Sequence, residues 1–334
     1  MGAADDDATS RSRSARRRAA WSVFLWPLVI TAAALVWMLS FLDELPETVV
    51  THWGTGGVAD GFTSREAAPW YALIGLVLGW VLGALVIHLA RRDAVARRMG
   101  VGLAAGTAAF TSGTMAVTLW LQRGPDGTAD ISSVDIAITL SLVVAMVLGL
   151  IAAWSIPGAE ADVTTATGPV PADAPRVSLR SGTTSWSGKA RPAWGIWVLL
   201  VLLPLAFVGL AAFTRTYAFM LVTGGLTVVL VVAFSFFRVQ VGEEGLTIRG
   251  LLGMPTWRIP LSDVEYAGVT TVSPLRQFGG WGYRLGTDGR VGFIVRKGEA
   301  LEVTRGDGAA WVITVDDAEG AAGLLNTLAE RSRS

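Results

Sequence analysis

Six apolar runs divide the chain: Trp21 to Leu42, Trp70 to Ala90, Met99 to Leu121, Val134 to Trp154, Trp194 to Phe213 and Thr216 to Phe237. A hydrocarbon core of about 30 Å takes roughly 20 apolar residues in a helix, so each run is long enough to cross a bilayer. The pattern predicts a polytopic α-helical membrane protein with six transmembrane helices, grouped four and then two. After Arg238 the runs give way to alternation. Val239 and Val241 flank Gln240, Leu246 and Ile248 alternate with Thr247 and Arg249, and Trp257, Ile259 and Leu261 alternate with Arg258 and Pro260, which is the period of half-buried strands. Shorter runs follow at 269–272, 291–295, 301–304 and 311–315, with turn signals at Glu244-Gly245, Asp288-Gly289 and Asp307-Gly308. Asp316 or Asp317 can cap a last helix that puts Ala321, Leu324, Leu325 and Leu328 on one face. The expectation is a strand meander forming a small β-barrel or sandwich, closed by one helix.

These elements order the chain into a tail at 1–20, a four-helix membrane domain at 21–154 with an exterior loop at 43–69, a linker at 155–193, a transmembrane hairpin at 194–237 and a cytoplasmic domain at 238–334. The linker holds Pro157, Pro169, Pro171, Pro175 and Pro192 among Gly, Ala, Ser and Thr. Such a composition buries too little apolar surface to order a chain, so a disordered cytoplasmic segment is expected. Lys and Arg in short flanking segments mark the cytoplasmic side. Arg11, Arg13, Arg16, Arg17 and Arg18 precede the first run, Arg91, Arg92, Arg97 and Arg98 follow the second, and Arg176, Arg180, Lys189 and Arg191 follow the fourth. The other connections hold only Arg65, Arg123 and Arg215. This places both termini in the cytoplasm of a cell-membrane protein. The first run exceeds the ~7–15 residues of a signal-peptide core, and Leu39-Ser40-Phe41-Leu42-Asp43 has no small-x-small cleavage site, so it reads as an anchor.

Charge and chemistry narrow the function classes. With 27 basic and 27 acidic residues there is no overall pull toward nucleic acid, and the partner the composition implies is the lipid bilayer. The absence of cysteine excludes disulfides, thiol nucleophiles and thiolate metal sites. No phosphate-binding glycine loop, His-Glu-x-x-His or Gly-x-Ser-x-Gly occurs, so the chain reads as no enzyme and implies no cofactor. The runs carry no ionisable residue near their centres; Asp135 and His88 lie at ends. That disfavours a proton-coupled transporter. Gly75, Gly79 and Gly83 form a small-residue stripe on the second run, repeated by Gly102 and Gly106 on the third beside Thr107, Thr111, Ser112, Thr114 and Thr118. Packing of the second run on the third is the favoured reading, and a hydroxyl-lined solute path is the alternative.

The loop between the first two runs reads Leu45-Pro46-Glu47-Thr48-Val49-Val50-Thr51-His52-Trp53-Gly54-Thr55-Gly56-Gly57-Val58-Ala59-Asp60-Gly61-Phe62. Leu45 and Pro46, a short β-like run, His52-Trp53, then Gly57 and Asp60-Gly61 make a pattern that resembles the membrane family called domain of unknown function 1648. That family also occurs at the start of immunity proteins against a sporulation-delaying peptide toxin, and it transfers no catalytic residue. Gly54 stands where many members have Asn, and Arg65 lies near the position of their Lys. A compact re-entry turn is the favoured reading of the loop, with His52, Asp60 and Glu66 as the alternative, a divalent-metal or ligand site. The strand segments 241–249 and 259–264, following a membrane hairpin, resemble the bacterial pleckstrin-homology-like domains. Within that domain Arg276, Trp281, Arg284 and Arg296 make an aromatic and basic patch, a candidate for contact with the inner leaflet or a protein partner. The resulting expectation is a non-enzymatic envelope sensing, immunity-type or regulatory module with a peptide or protein partner; a small-solute transporter and a structural membrane scaffold are the alternatives.

Overall fold

The computed structural model describes residues 2–54, 57–89, 94–124, 131–157, 165–166, 168–178, 185–190, 192–286 and 288–333. Its contacts divide it into two units, Ser14–Gly158 with Leu202–Thr227, and Met1–Arg13 and Ala159–Val201 with Val228–Ser334. Arg91, Arg92, Arg180 and Arg191 of the charge argument lie outside the described residues.

The first unit is built from most of helix α1 (Gly2–Ser40), from α2 (Ala72–Leu89), α3 (Ala94–Trp120) and α4 (Ile131–Trp154), and from most of α5 (Trp194–Thr214) and part of α6 (Tyr217–Ser235). α1 begins well before the expected start at Trp21. Its first half is rich in Ala and Arg and has no Pro or Gly after Gly2 until Pro27, so helix propensity carries it through the segment expected to be a tail. Among the described residues, five helical segments are long and apolar enough to cross a membrane: Ser14–Ser40, Ala68–Leu89, Ser133–Trp154, Trp194–Thr214 and Tyr217–Ser235. They turn Val36, Ile74, Val81, Leu140, Val147 and Leu205 outward, an arrangement that suits lipid rather than water.

The third apolar run is a helix of a different kind. α3 packs against both α2 and α4 and buries Gly100, Ala104, Ala105, Ala108, Ala109, Ser112 and Ala116. A helix enclosed by other helices needs small side chains for close approach more than it needs large aliphatics, which explains why α3 stands outside the five.

In the second unit, strands β3 (Trp186–Ala190), β4 (Phe237–Gly242), β5 (Gly245–Gly250) and β6 (Thr256–Ile259) form an antiparallel sheet in that order. A second sheet has the order β7 (Val264–Val272), β10 (Gly298–Arg305), β11 (Ala310–Ile313), β9 (Val291–Ile294), β8 (Gly282–Leu285). This corrects the expected meander. The β10–β11 hairpin inserts between β7 and β9, so β9 and β11 run parallel. Both sheets contribute to an aromatic core in which Trp257 stacks on Tyr283 at 5.2 Å and meets Phe293 edge-on at 4.9 Å, with Phe237 and Trp311 beside them. A short helix α7 (Pro274–Phe278) precedes β8, and α8 (Ala318–Arg333) closes the unit. Asp317 caps α8, its carboxylate accepting the Gly320 N–H at 2.9 Å.

The segment 155–193, expected to be disordered, contributes ordered pieces where it is described. β3 pairs along the edge of β4 from Trp186↔Val241 to Ala190↔Phe237. Arg176 pairs with Glu330 of α8 at 3.1 Å, and Asn326 donates to the Pro175 carbonyl at 3.0 Å. The composition was a poor guide because these backbone groups find partners on a sheet edge and a helix made by distant sequence.

Candidate functional site

The loop between α1 and α2 folds into a cap over the helix ends of the first unit. β1 (Thr48–Trp53) and β2 (Ala59–Ser64) form an antiparallel hairpin whose register shifts around His52. At that irregularity the strands come close: a Cβ on Gly61 would sit 2.6 Å from the His52 Cβ, so only glycine fits. Gly57 turns the hairpin with φ +80°, a region that favours glycine. Beneath the hairpin, Leu45, Val49, Ala68 and Ala72 share a core with Met38 of α1, Phe41 just after it, and Ala116 and Leu119 of α3.

Two polar clamps tie the cap to the end of α3. The buried Gln122 amide accepts the Val50 N–H at 2.6 Å and donates to the Val50 carbonyl at 2.9 Å, with a further donation to the Thr118 carbonyl at 3.2 Å. It supplies to β1 what a neighbouring strand would supply. Arg123 donates to Glu44 at 2.7 Å while its guanidinium lies over the Trp120 ring at 3.8 Å, combining an ion pair with a cation–π contact. Gly124 N–H adds a bond to the Glu44 carbonyl at 3.0 Å. Sequence reasoning did not find Gln122, and counted Arg123 only as a charge.

Of the three loop residues weighed as a metal or ligand site, two come together and the third turns elsewhere. His52 Nδ1 and Asp60 pair at 2.5 Å with both side chains exposed. Glu66 instead pairs with Arg65 at 3.1 Å, and Arg65 reaches the Leu45 carbonyl at 3.2 Å. The Glu66 backbone N–H, helped by Arg65, holds its carboxyl below the usual carboxylate range. Among the described residues no three His, Cys, Asp or Glu side chains converge. Leu45 is core, Pro46 and Trp53 are half-buried, and Thr55 and Gly56 lie outside the described residues.

The glycine stripes are packing contacts, divided between two partners. A Cβ on Gly79 would sit 2.6 Å from the Ala104 carbonyl, one on Gly83 would meet Val23, Ala104 and Gly100, and Gly75 faces Thr111. Gly102 and Gly106 turn the other way, toward Gly149 and Ala145 of α4, and not to α2 as expected. Asp135 is buried and caps α6, accepting the Ala218 N–H at 2.8 Å and the Phe219 N–H at 3.0 Å. Of the hydroxyls considered for a solute path, Thr111 donates to the Thr107 carbonyl at 3.0 Å and Ser112 bonds Thr31 of α1 at 3.3 Å, while the buried Thr114 hydroxyl has no partner among the described residues.

Beside the aromatic and basic patch of the second unit, two further aromatic residues turn inward. Phe278 is buried and Tyr283 belongs to the aromatic core, because β8 is a strand whose alternation turns it inward. Arg296 is drawn to the Val315 carbonyl at 2.7 Å and to Asp316 at 3.2 Å. Trp281, Arg276 and Arg284 stay exposed, with Arg284 donating to the Trp281 carbonyl at 2.8 Å. Nearby, Arg290 is half-buried; burial works against its charge, but Asp288 and Glu302 hold its pKa above the ordinary guanidinium value.

The apolar, outward-facing helices and the capped helix ends are those of a multi-pass membrane protein. Residues 28–76, which carry the cap hairpin with its flanking helical turns, match the model of the family described as domain of unknown function (DUF1648). A comparison with curated proteins gave no match.

Proposed function

We propose that the chain is a non-enzymatic membrane module whose cap is an exterior recognition surface for a peptide or protein, coupled to a cytoplasmic interaction domain. The observation that carries this reading is the clamp of Gln122 on Val50, with Arg123 on Glu44, which holds the hairpin to the helices. A binding surface is most selective when a rigid scaffold fixes it. The hairpin presents His52, Asp60 and Phe62 on its outward face and Val58 near its turn, with Val58 69% and Phe62 60% exposed. Counting α3 with the five apolar helices gives six spans, and the arginine distribution then favours cytoplasmic termini. The two sheets and closing helix of the second unit support a pleckstrin-homology-like reading of residues 238–334, a fold used widely for docking. Resemblance to immunity proteins favours a membrane-active peptide as the exterior partner.

The transporter alternative has less support, since Asp135, Thr111 and Ser112 are engaged in capping and packing. Expression in a toxin-sensitive host should raise tolerance to a membrane-active peptide. Phe62→Ser with Val58→Ser should abolish that gain at unchanged membrane abundance. No gain across a panel of such peptides would contradict the reading.

A further inference from the structure

The four-stranded sheet of the second unit has a polar face with an uneven charge. Phe237, Val239, Val241, Ile248, Trp257 and Ile259 fill the core, and alternation turns Arg238, Arg249 and Arg258 to the other side. Arg238 is in direct register with Arg249, and Lys189 of β3 is in register with Arg238. Arg258 is opposite Thr247, on a rung further from the α6 end of the sheet. Like charges directly opposite one another destabilise a strand pair. Among the described residues no acidic side chain pairs with Arg238, Arg249 or Arg258. The acidic residues of this hairpin, Glu243 and Glu244, stand at its far turn, about 15 Å along the strand from the Arg238–Arg249 rung.

The basic end of the sheet is also the end that meets α6. α6 stops at Ser235 and β4 begins at Phe237. The loop from β5 to β6 returns to the same point: Leu251 N–H donates to the Phe236 carbonyl at 2.9 Å, and a Cβ on Gly250 would lie 2.8 Å from the Ala233 carbonyl. That loop exposes Leu251, Leu252 and Met254, the last two at 59% and 61%. Gly282 likewise lies against the Phe234 carbonyl, which brings exposed Trp281 to the same boundary.

We propose that the α6-proximal end of this sheet, with Arg238, Arg249 and the Leu251-Leu252-Met254 loop, docks on the anionic lipid surface that α6 leaves. The inference rests on the reading that α6 crosses the bilayer. Anionic headgroups relieve the repulsion of the arginine pair, each basic residue near such a surface favouring docking roughly fivefold. The apolar loop and Trp281 enter the headgroup zone, where aromatic and apolar groups are favoured. This places the contact beside the segment expected from sequence, on a different sheet.

The test uses full-length protein in nanodiscs. The chain has no cysteine, so Leu252→Cys and Glu244→Cys each accept a single nitroxide. In discs containing phosphatidylglycerol the label at 252 should be shielded from a water-soluble relaxation agent and reached by oxygen, with the label at 244 open to water. Arg238→Gln with Arg249→Gln should lower the docked-to-free ratio roughly 25-fold at fivefold per charge. High salt on the unmutated arginines provides an independent check if that variant misfolds. Equal water access at 252 and 244 in anionic discs would overturn the proposal. So would shielding at 252 that is unchanged in neutral lipid and in high salt, which would mark a contact within the protein. If 252 is shielded as expected but thiol labelling in intact cells finds position 244 outside, the docking face stands and the cytoplasmic reading fails.

Discussion

The side-chain amide of Gln122 pairs with both backbone groups of Val50, at 2.6 and 2.9 Å, across 72 residues of sequence. Gln122 is fully buried, so water cannot replace either bond. Gln122→Met keeps the length and removes both partners. Leaving two buried backbone groups unpaired should lower stability by about 2–4 kcal/mol and abolish slow hydrogen exchange at the Val50 amide. Unchanged protection at Val50 would show that the clamp does not hold the cap.

Asp135 has a structural task that a transport role would not require. Its carboxylate accepts the Ala218 and Phe219 N–H groups at the start of α6. Asp135→Ala should cost about 1 kcal/mol and speed exchange at those two amides, while Asp135→Asn, which keeps an acceptor, should lose less. Loss of solute uptake in Asp135→Asn with exchange unaltered would instead favour a transporter.

Glycine positions that look alike in sequence separate by what surrounds them. Gly79→Ala puts a Cβ 2.6 Å from the Ala104 carbonyl and forces α2 away from α3, whereas Gly209 has open space around it. The first substitution should destabilise by about 1–3 kcal/mol. Gly209→Ala should be neutral or stabilising by up to about 1 kcal/mol. Thermal unfolding of both variants in one detergent gives the comparison.

In the second unit Asp263 and Arg305 form an ion pair at 2.6 Å with side chains 0% and 6% exposed. Asp263→Ala strands the arginine and should cost about 3–5 kcal/mol. Replacing both, Asp263→Leu with Arg305→Met, should cost less. If the double variant is as unstable as the single one, the loss lies in the bond that the Asp263 carboxylate accepts from the Gly306 N–H.

What the sequence made legible followed from periodicity, and what it hid followed from long-range pairing. Continuous apolar runs located the helices and alternation located β4 to β6, because both patterns are local. α3 was visible as a run, but its central position depends on which small residues meet α2 and which meet α4. β3 carries no alternation in Trp186-Ser187-Gly188-Lys189-Ala190 and is a strand because β4 offers an edge. The cap motif was legible as a pattern of residues, yet its clamp was invisible, since nothing near Gln122 points to Val50. Asn326 is a second instance: its amide pairs with both backbone groups of Ala267 at 2.8 Å across 59 residues.

The proposed topology puts Val58 outside the cell and Glu244 in the cytoplasm. Single cysteines at these two exposed positions test it in this cysteine-free chain. An impermeant thiol reagent applied to intact cells should label Val58→Cys and spare Glu244→Cys until the membrane is opened. Labelling of Glu244→Cys in intact cells, or protection of Val58→Cys there followed by labelling after lysis, would contradict it.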